Sequence, residues 1–123
     1  MLFILKALWA LGNIAGDGPK LRDIIIEASA IEPIVQILEI TAQADIIKMG
    51  VWALANLCKD KLSISFELIE RVIAIFCSVI QKCIDPEVLV DAVWAVNILS
   101  HENIQIQRII ESGVLNALVI LLE

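Results

Sequence analysis

The chain has one histidine, no tyrosine and only 5% aromatic residues. These shortages limit the kinds of catalysis that its side chains could perform. Histidine is the commonest catalytic acid or base at neutral pH, and the single candidate, His101, falls in a predicted loop. The sequence also lacks a glycine-rich phosphate loop, a cluster of metal ligands and a nucleophile–base set. We therefore expect a binding protein and not an enzyme, with no cofactor and no metal.

Cysteines and long uncharged runs are also scarce. The three cysteines are an odd number without metal-ligand spacing, which favours small core residues in a reducing compartment. No run reaches the roughly 18 uncharged apolar residues that span a bilayer, and Lys6 interrupts the apolar start, which argues against a signal peptide. The net charge of -6 repels nucleic acid and anionic membranes and attracts cationic peptides.

Apolar residues are abundant, at 59% of the chain, and they recur with helical spacing and without strand alternation. We therefore predict an all-α fold. We expect the segment 16–19 to close the first helix as a glycine stop, 59–61 to end the fourth, and Gly113 to separate the last two. No short helix is predicted ahead of residue 66. Helices are predicted over residues 1–15, 21–28, 30–40, 43–58, 66–83, 86–100, 103–112 and 114–123.

Three tryptophans mark an internal repeat. Trp9 is followed after 43 residues by Trp52 and after a further 42 by Trp94, and a period of roughly 40–47 residues is typical of HEAT and armadillo solenoids. Asn13 and Asn56 each follow a tryptophan by four residues, which places both side chains on one helix face. Because a buried asparagine without partners costs about 1–3 kcal/mol, we expect both to face water or ligand. The predicted result is a Trp/Asn ladder along one groove.

The helix order predicts how the repeats divide the chain. We assign 1–19 to the third helix of a truncated repeat, 20–60 and 61–101 to two full repeats, and 102–123 to the first two helices of another. Solenoid ends normally carry polar caps, whereas residues 1–8 and 118–122 are mainly apolar. We therefore expect a segment of a longer protein, with self-association possible through uncapped ends. A truncated remnant without independent transport activity is the alternative.

Residues 7–17 resemble the armadillo repeat of importin alpha (karyopherin alpha) almost letter for letter, and 51–59 and 87–95 resemble it in the same order. The resemblance implies a right-handed armadillo superhelix of about three repeats, corresponding to the third to sixth of the family. It implies binding of lysine/arginine-rich nuclear localisation signals as an adaptor in nuclear import, in cytoplasm and nucleus. Importin beta would be bound only through a basic segment that matches no part of this sequence.

The resemblance also implies a set of peptide-binding residues. Indole faces would pack on the aliphatic stems of Lys or Arg and add a cation–π attraction of about 0.5–2 kcal/mol. Asparagine amides would hold the peptide backbone, and carboxylates would select cations. The third copy departs from the family's pattern at Asn97 and Ile98, where the family often has Ser-Tyr. The implied residues are Trp9, Asn13, Gly16, Asp17, Trp52, Asn56, Glu87, Asp91 and Trp94.

Other readings of the same residues remain open. Each tryptophan could be a large core residue, Asp17 a helix-end residue, and Glu87 and Asp91 a solvated helix face. Gly12 and Gly50 lie inside tryptophan helices, and we expect them to permit close helix packing. A different class of function is a catenin-like armadillo scaffold for acidic or hydrophobic partners. Such a groove needs Lys and Arg, and most of the nine basic residues lie outside the tryptophan helices.

Overall fold

The computed structural model describes residues 2–60 and 62–123, which form eight helices and no strand. Met1, at the start of the predicted first helix, and Lys61, in the predicted stop after the fourth, lie outside the described residues. The all-α prediction is confirmed, and the eight helices match the predicted order. They are α1 Leu2–Asp17, α2 Pro19–Glu27, α3 Ile31–Ile40, α4 Ala44–Leu57, α5 Phe66–Lys82, α6 Pro86–Leu99, α7 Asn103–Glu111 and α8 Val114–Ile120.

Local sequence signals account for several helix ends. The Asp85 carboxylate accepts a hydrogen bond from the Glu87 backbone N–H, and Pro86 occupies the first turn of α6, where its missing N–H costs nothing. The Ser65 hydroxyl caps α5 in the same way. Gly113 has φ 80°, a conformation that favours glycine, and it separates α7 from α8 as predicted.

The first helix ends within the predicted segment 16–19, but two residues later than expected and without a left-handed glycine. Gly16 and Asp17 continue the helix, and Gly18 is the single residue between α1 and α2. Gly18 has an extended backbone, with φ 166°, so no left-handed residue ends α1. Pro19 begins α2 directly, because proline fits the first helical turn and disfavours a helical conformation in the residue before it. The turn carrying Asp17 is therefore helical and held close to α2.

The helices form two packed layers. The three tryptophan helices lie side by side, α1 against α4 and α4 against α6, and the second layer consists of α3, α5 and α8. Between the layers lies a continuous core of aliphatic side chains around Phe76, and each fully buried large side chain contributes about 1.5–3 kcal/mol. Among the described helices, none has the length and apolarity needed to cross a membrane.

A nearly buried arginine fixes the end of α1. The Arg22 guanidinium donates to the Ala15 backbone oxygen at 2.9 Å and, through two nitrogens, to the Asp60 carboxylate at 2.8 and 2.5 Å. Charge-assisted hydrogen bonds of this kind are the strong ones in proteins. Arg22 therefore ties the last turn of α1 to the residues that follow α4, and this sets the relative position of two neighbouring tryptophan helices.

Candidate functional site

Trp52 is positioned by a glycine on the neighbouring helix. A Cβ built on Gly12 would overlap the six-membered ring of the Trp52 indole. The ring therefore rests directly on the backbone of α1, where no side chain larger than hydrogen fits without movement. Gly12 is three residues from Trp9, so the two indoles lie near the same face of α1. Trp52 is half-buried.

Asn56 is also held by α1, and the expectation that it faces water is wrong. Its side chain is only 8% exposed, and its Nδ2 donates a 2.9 Å hydrogen bond to the Gly12 backbone oxygen. That oxygen can accept a second hydrogen bond because a carbonyl has two lone pairs. A Cβ on Gly16 would lie 3.3 Å from Asn56 Nδ2. Trp52 and Asn56 therefore pack along the two glycines of α1, Gly12 and Gly16.

Trp9 and Asn13 are open to solvent, as expected for Asn13. The Trp9 side chain is 47% exposed, and the Lys6 ammonium lies 4.8 Å from the centroid of its ring. Lys6 and Trp9 are one helical turn apart on α1. The contact is a cation–π interaction. The indole at this position is thus oriented so that one of its faces accepts an ammonium group.

Asp17 lies exposed at the last residue of α1. It joins no ion pair among residues 2–60 and 62–123. Its carboxylate therefore adds negative charge at the end of the α1 surface that carries Trp9 and Asn13. Gly16, beside it, is exposed, and a Cβ added there would meet the Asn56 amide group.

The third copy of the repeat is built differently. Trp94 is 52% exposed and lines a surface cavity with Asn97 and Leu121. Ile98 lines another cavity, together with Cys58 at the end of α4. Ile98 is the counterpart of Asn56, since both follow a tryptophan by four residues. An isoleucine side chain offers no hydrogen bond at this position. Asn97 is the amide that lies beside Trp94.

Glu87 and Asp91 lie on α6, and a lysine from α4 meets them. The Lys48 ammonium is 2.5 Å from the Glu87 carboxylate. This hydrogen bond raises the pKa of Lys48, and the charges of Asp85 and Asp91 add to the effect. Burial raises the pKa of Asp91, and the neighbouring charge of Glu87 raises it further, whereas Lys48 and Lys59 oppose the shift.

The Lys48–Glu87 pair also shows how α4 and α6 face each other. Lys48 precedes Trp52 by one helical turn, and Glu87 precedes Trp94 by two, so each lies on its tryptophan's side of the helix. Their contact therefore places the Trp52 side of α4 next to the Trp94 side of α6. We call the surface formed by Trp9, Trp52 and Trp94 with the flanking residues of α1, α4 and α6 the tryptophan face.

Some contacts of this surface were not predicted from the sequence. Neither the Lys6 contact with Trp9 nor the Lys48 contact with Glu87 was predicted. The Lys6 contact had a signal in the sequence, because Lys6 precedes Trp9 by one turn of helix, whereas the Lys48–Glu87 contact joins two helices and had none. The packing role predicted for the two helix glycines is confirmed, since a Cβ on Gly50 would lie 2.7 Å from Leu38 Cδ2. In the described part of the chain, no three His, Cys, Asp or Glu side chains are grouped to hold a metal ion.

Comparison with known proteins finds similarity in both sequence and fold. The family profile of the Armadillo/beta-catenin-like repeat matches residues 18–59. Importin subunit alpha-1b of Oryza sativa subsp. japonica is 40% identical over 95% of this chain, and importin subunit alpha-2 of Arabidopsis thaliana is 37% identical over 96%. The chain spans about a fifth of the length of these curated relatives, 22% of each.

Solved structures of designed proteins share the fold. A designed armadillo repeat protein in complex with the peptide (KR)4 superposes with a TM-score of 0.78 at 33% identity, over 96% of this chain and 49% of that protein. Computationally designed armadillo repeat proteins for modular peptide recognition give a TM-score of 0.79 at 31% identity, over 96% of this chain and 50% of the designed one. The chain is therefore an armadillo-repeat solenoid of about three repeats, similar along nearly all its length to a segment of importin alpha subunits.

Proposed function

We propose that the tryptophan face binds extended lysine/arginine-rich peptides, the nuclear localisation signals of cargo proteins. The observation that carries this proposal is the arrangement of Trp9 and Trp52. They lie on one face of adjacent helices, Trp9 is exposed and Trp52 is half-buried, and the Lys6 ammonium already lies over the Trp9 ring. The proposed peptide-binding residues are Trp9, Asn13, Gly16, Asp17, Trp52, Asn56, Glu87, Asp91 and Trp94.

The spacing of the helices suits an extended peptide. Neighbouring helices pack about 8–10 Å apart, and an extended chain advances about 3.3 Å per residue. Successive tryptophans would therefore be met every two or three peptide residues. An indole face accepts the aliphatic stem of Lys or Arg as well as its charge. Asn13 would offer its free amide to the peptide backbone, whereas Asn56 would mainly fix the position of Trp52.

The relatives support the same chemistry. The designed armadillo protein that shares this fold was solved with a (KR)4 peptide, and the sequence relatives are importin alpha subunits. Because the chain spans about a fifth of those relatives, the role of adaptor in nuclear import, with shuttling between cytoplasm and nucleus, is part of the proposal. So is the division into repeats at 20–60 and 61–101.

A titration with peptides of opposite charge tests the proposal. We expect (KR)4 to change the tryptophan fluorescence of the chain, with an affinity that falls as salt rises, because exposed charge pairs are screened. An acidic peptide of the same length, (ED)4, should cause no change. Preferential binding of (ED)4 would favour the catenin-like scaffold for acidic partners instead. An affinity for (KR)4 that does not change with salt would contradict the proposed role of the acidic residues in binding.

Replacing Asp17 with asparagine should weaken (KR)4 binding by up to about fivefold at low salt, since exposed charge pairs contribute about 0.2–1 kcal/mol. The substitution keeps the side-chain shape and removes one negative charge. Asp23→Asn on α2 is the matched control, because Asp23 is also an exposed aspartate. Calorimetric titration of both variants at two ionic strengths checks the prediction. Equal affinities for the two variants would remove Asp17 from the proposed site.

A further inference from the structure

The chain itself supplies a cation to the tryptophan face. Lys48, on α4, is 50% exposed, and its ammonium pairs with the Glu87 carboxylate of α6, which is 73% exposed. The pair connects two neighbouring tryptophan helices on the side of Trp52 and Trp94. A lysine of a bound peptide carries the same ammonium group as Lys48. The two cations would therefore compete for one carboxylate.

How strongly Lys48 competes with a peptide cation depends on how firmly Glu87 holds it. An exposed lysine–carboxylate pair contributes little to stability, because both groups remain hydrated and both side chains lose freedom when they pair. Such a contact is weak enough for a peptide cation to displace. It still lowers the affinity of every peptide that needs Glu87, since the internal pair must break first. Burial raises the pKa of Asp91, one turn further along α6, and the charge of Lys48 opposes that shift.

We propose that Lys48 is an internal competitor that occupies the Glu87 position of the tryptophan face and so limits affinity for basic peptides. This inference rests on the proposed function. Lys48 does not add to peptide binding; it sets how much of the acidic surface on α6 is free. A peptide that binds across α4 and α6 therefore has to provide a cation that displaces this lysine.

Substitution of Lys48 by methionine tests the inference, because methionine keeps a long flexible side chain and removes the charge. We expect (KR)4 to bind Lys48→Met about two- to fivefold more tightly than the wild-type chain. The matched control is Lys82→Met, which removes an exposed charge from the last turn of α5, in the other layer. Both variants change the net charge equally, so the comparison removes the effect of net charge and leaves the local effect of Lys48, which Glu87→Gln then tests for competition.

Glu87→Gln provides an independent readout. In the wild-type chain the Glu87 charge is paired with Lys48, so we expect Glu87→Gln to reduce the affinity for (KR)4 by less than it does where Lys48 is absent. In the Lys48→Met background the same substitution should cost about two- to fivefold. Binding by the wild type, with Lys48→Met no tighter than Lys82→Met, would overturn the inference alone. If neither the wild type nor Lys48→Met binds (KR)4, the inference and the proposed function fail together.

Discussion

Replacing Trp52 with alanine should reduce the affinity for (KR)4 about thirtyfold, the largest binding loss that we expect from a single substitution. Tryptophans at the centre of an interface commonly contribute 2 kcal/mol or more, and 1.4 kcal/mol corresponds to a factor of ten. Trp52 belongs to the middle helix of the tryptophan face, and its ring rests on Gly12. The ring is thus held in place before a peptide arrives. The Trp52 side chain therefore loses less conformational freedom on binding than the more exposed side chains of Trp9 and Trp94.

A second substitution separates binding from folding at this position. Trp52→Ala removes a half-buried side chain, so it also lowers the free energy of unfolding. Trp52→Phe keeps an aromatic ring over Gly12 and should lose only part of the affinity, since phenylalanine is a weaker cation–π partner than tryptophan. Calorimetric titration with (KR)4 measures the affinity of each variant. Circular dichroism checks beforehand that the helix content of each variant equals that of the wild type. Wild-type affinity in Trp52→Ala would contradict the assignment of Trp52.

Replacing Gly12 with valine should lower the free energy of unfolding by about 1–3 kcal/mol, the usual cost of overpacking. A Cβ at this position overlaps the Trp52 ring, and the hydrogen bond from Asn56 to the Gly12 oxygen requires the same close approach. Glycine inside a helix is normally destabilising, so helix propensity alone predicts the opposite sign. The variant should also lose affinity for (KR)4, because the indole is displaced from its position.

Gly18→Val is the control for this substitution. A Cβ on Gly18 would have no atom within 4 Å, and its extended backbone suits any residue. We therefore expect its midpoint in urea unfolding to stay close to that of the wild type. If Gly12→Val were as stable as Gly18→Val, the close contact between α1 and α4 would not exist in solution. The direction of the difference decides between helix propensity and helix packing.

Much of the fold could be predicted because the signals are local. The Asp85–Pro86 start of α6 and the Gly113 break depend on backbone geometry within a few residues, and both were predicted correctly. The end of α1 was predicted two residues too early, because Gly16 is compatible with both a helix and a helix stop. Its helical state is fixed by contacts with distant residues, among them the Arg22 bonds to Ala15 and Asp60.

For the candidate site, the sequence predicts which residues share a face of one helix, but it does not predict the contacts between helices. Spacing shows that Trp52 and Asn56 share a helix face, but it does not show what the neighbouring helix presents there. The Gly12 oxygen that receives the Asn56 amide is 44 residues away in sequence. Lys48 and Glu87 meet for the same reason, through the packing of α4 on α6. The expectation for Asn56 therefore failed where the partner came from another repeat.

Peptide binding on the tryptophan face is tested most directly by nuclear magnetic resonance. The three indole N–H signals of the ¹⁵N-labelled chain are followed during a titration. We expect (KR)4 to shift the signals of Trp9 and Trp52 together, with one affinity, and (ED)4 to leave both in place. Single Trp→Phe variants assign each signal. Indole signals that stay unchanged while (KR)4 binds would place the peptide elsewhere and contradict the role of the tryptophan face.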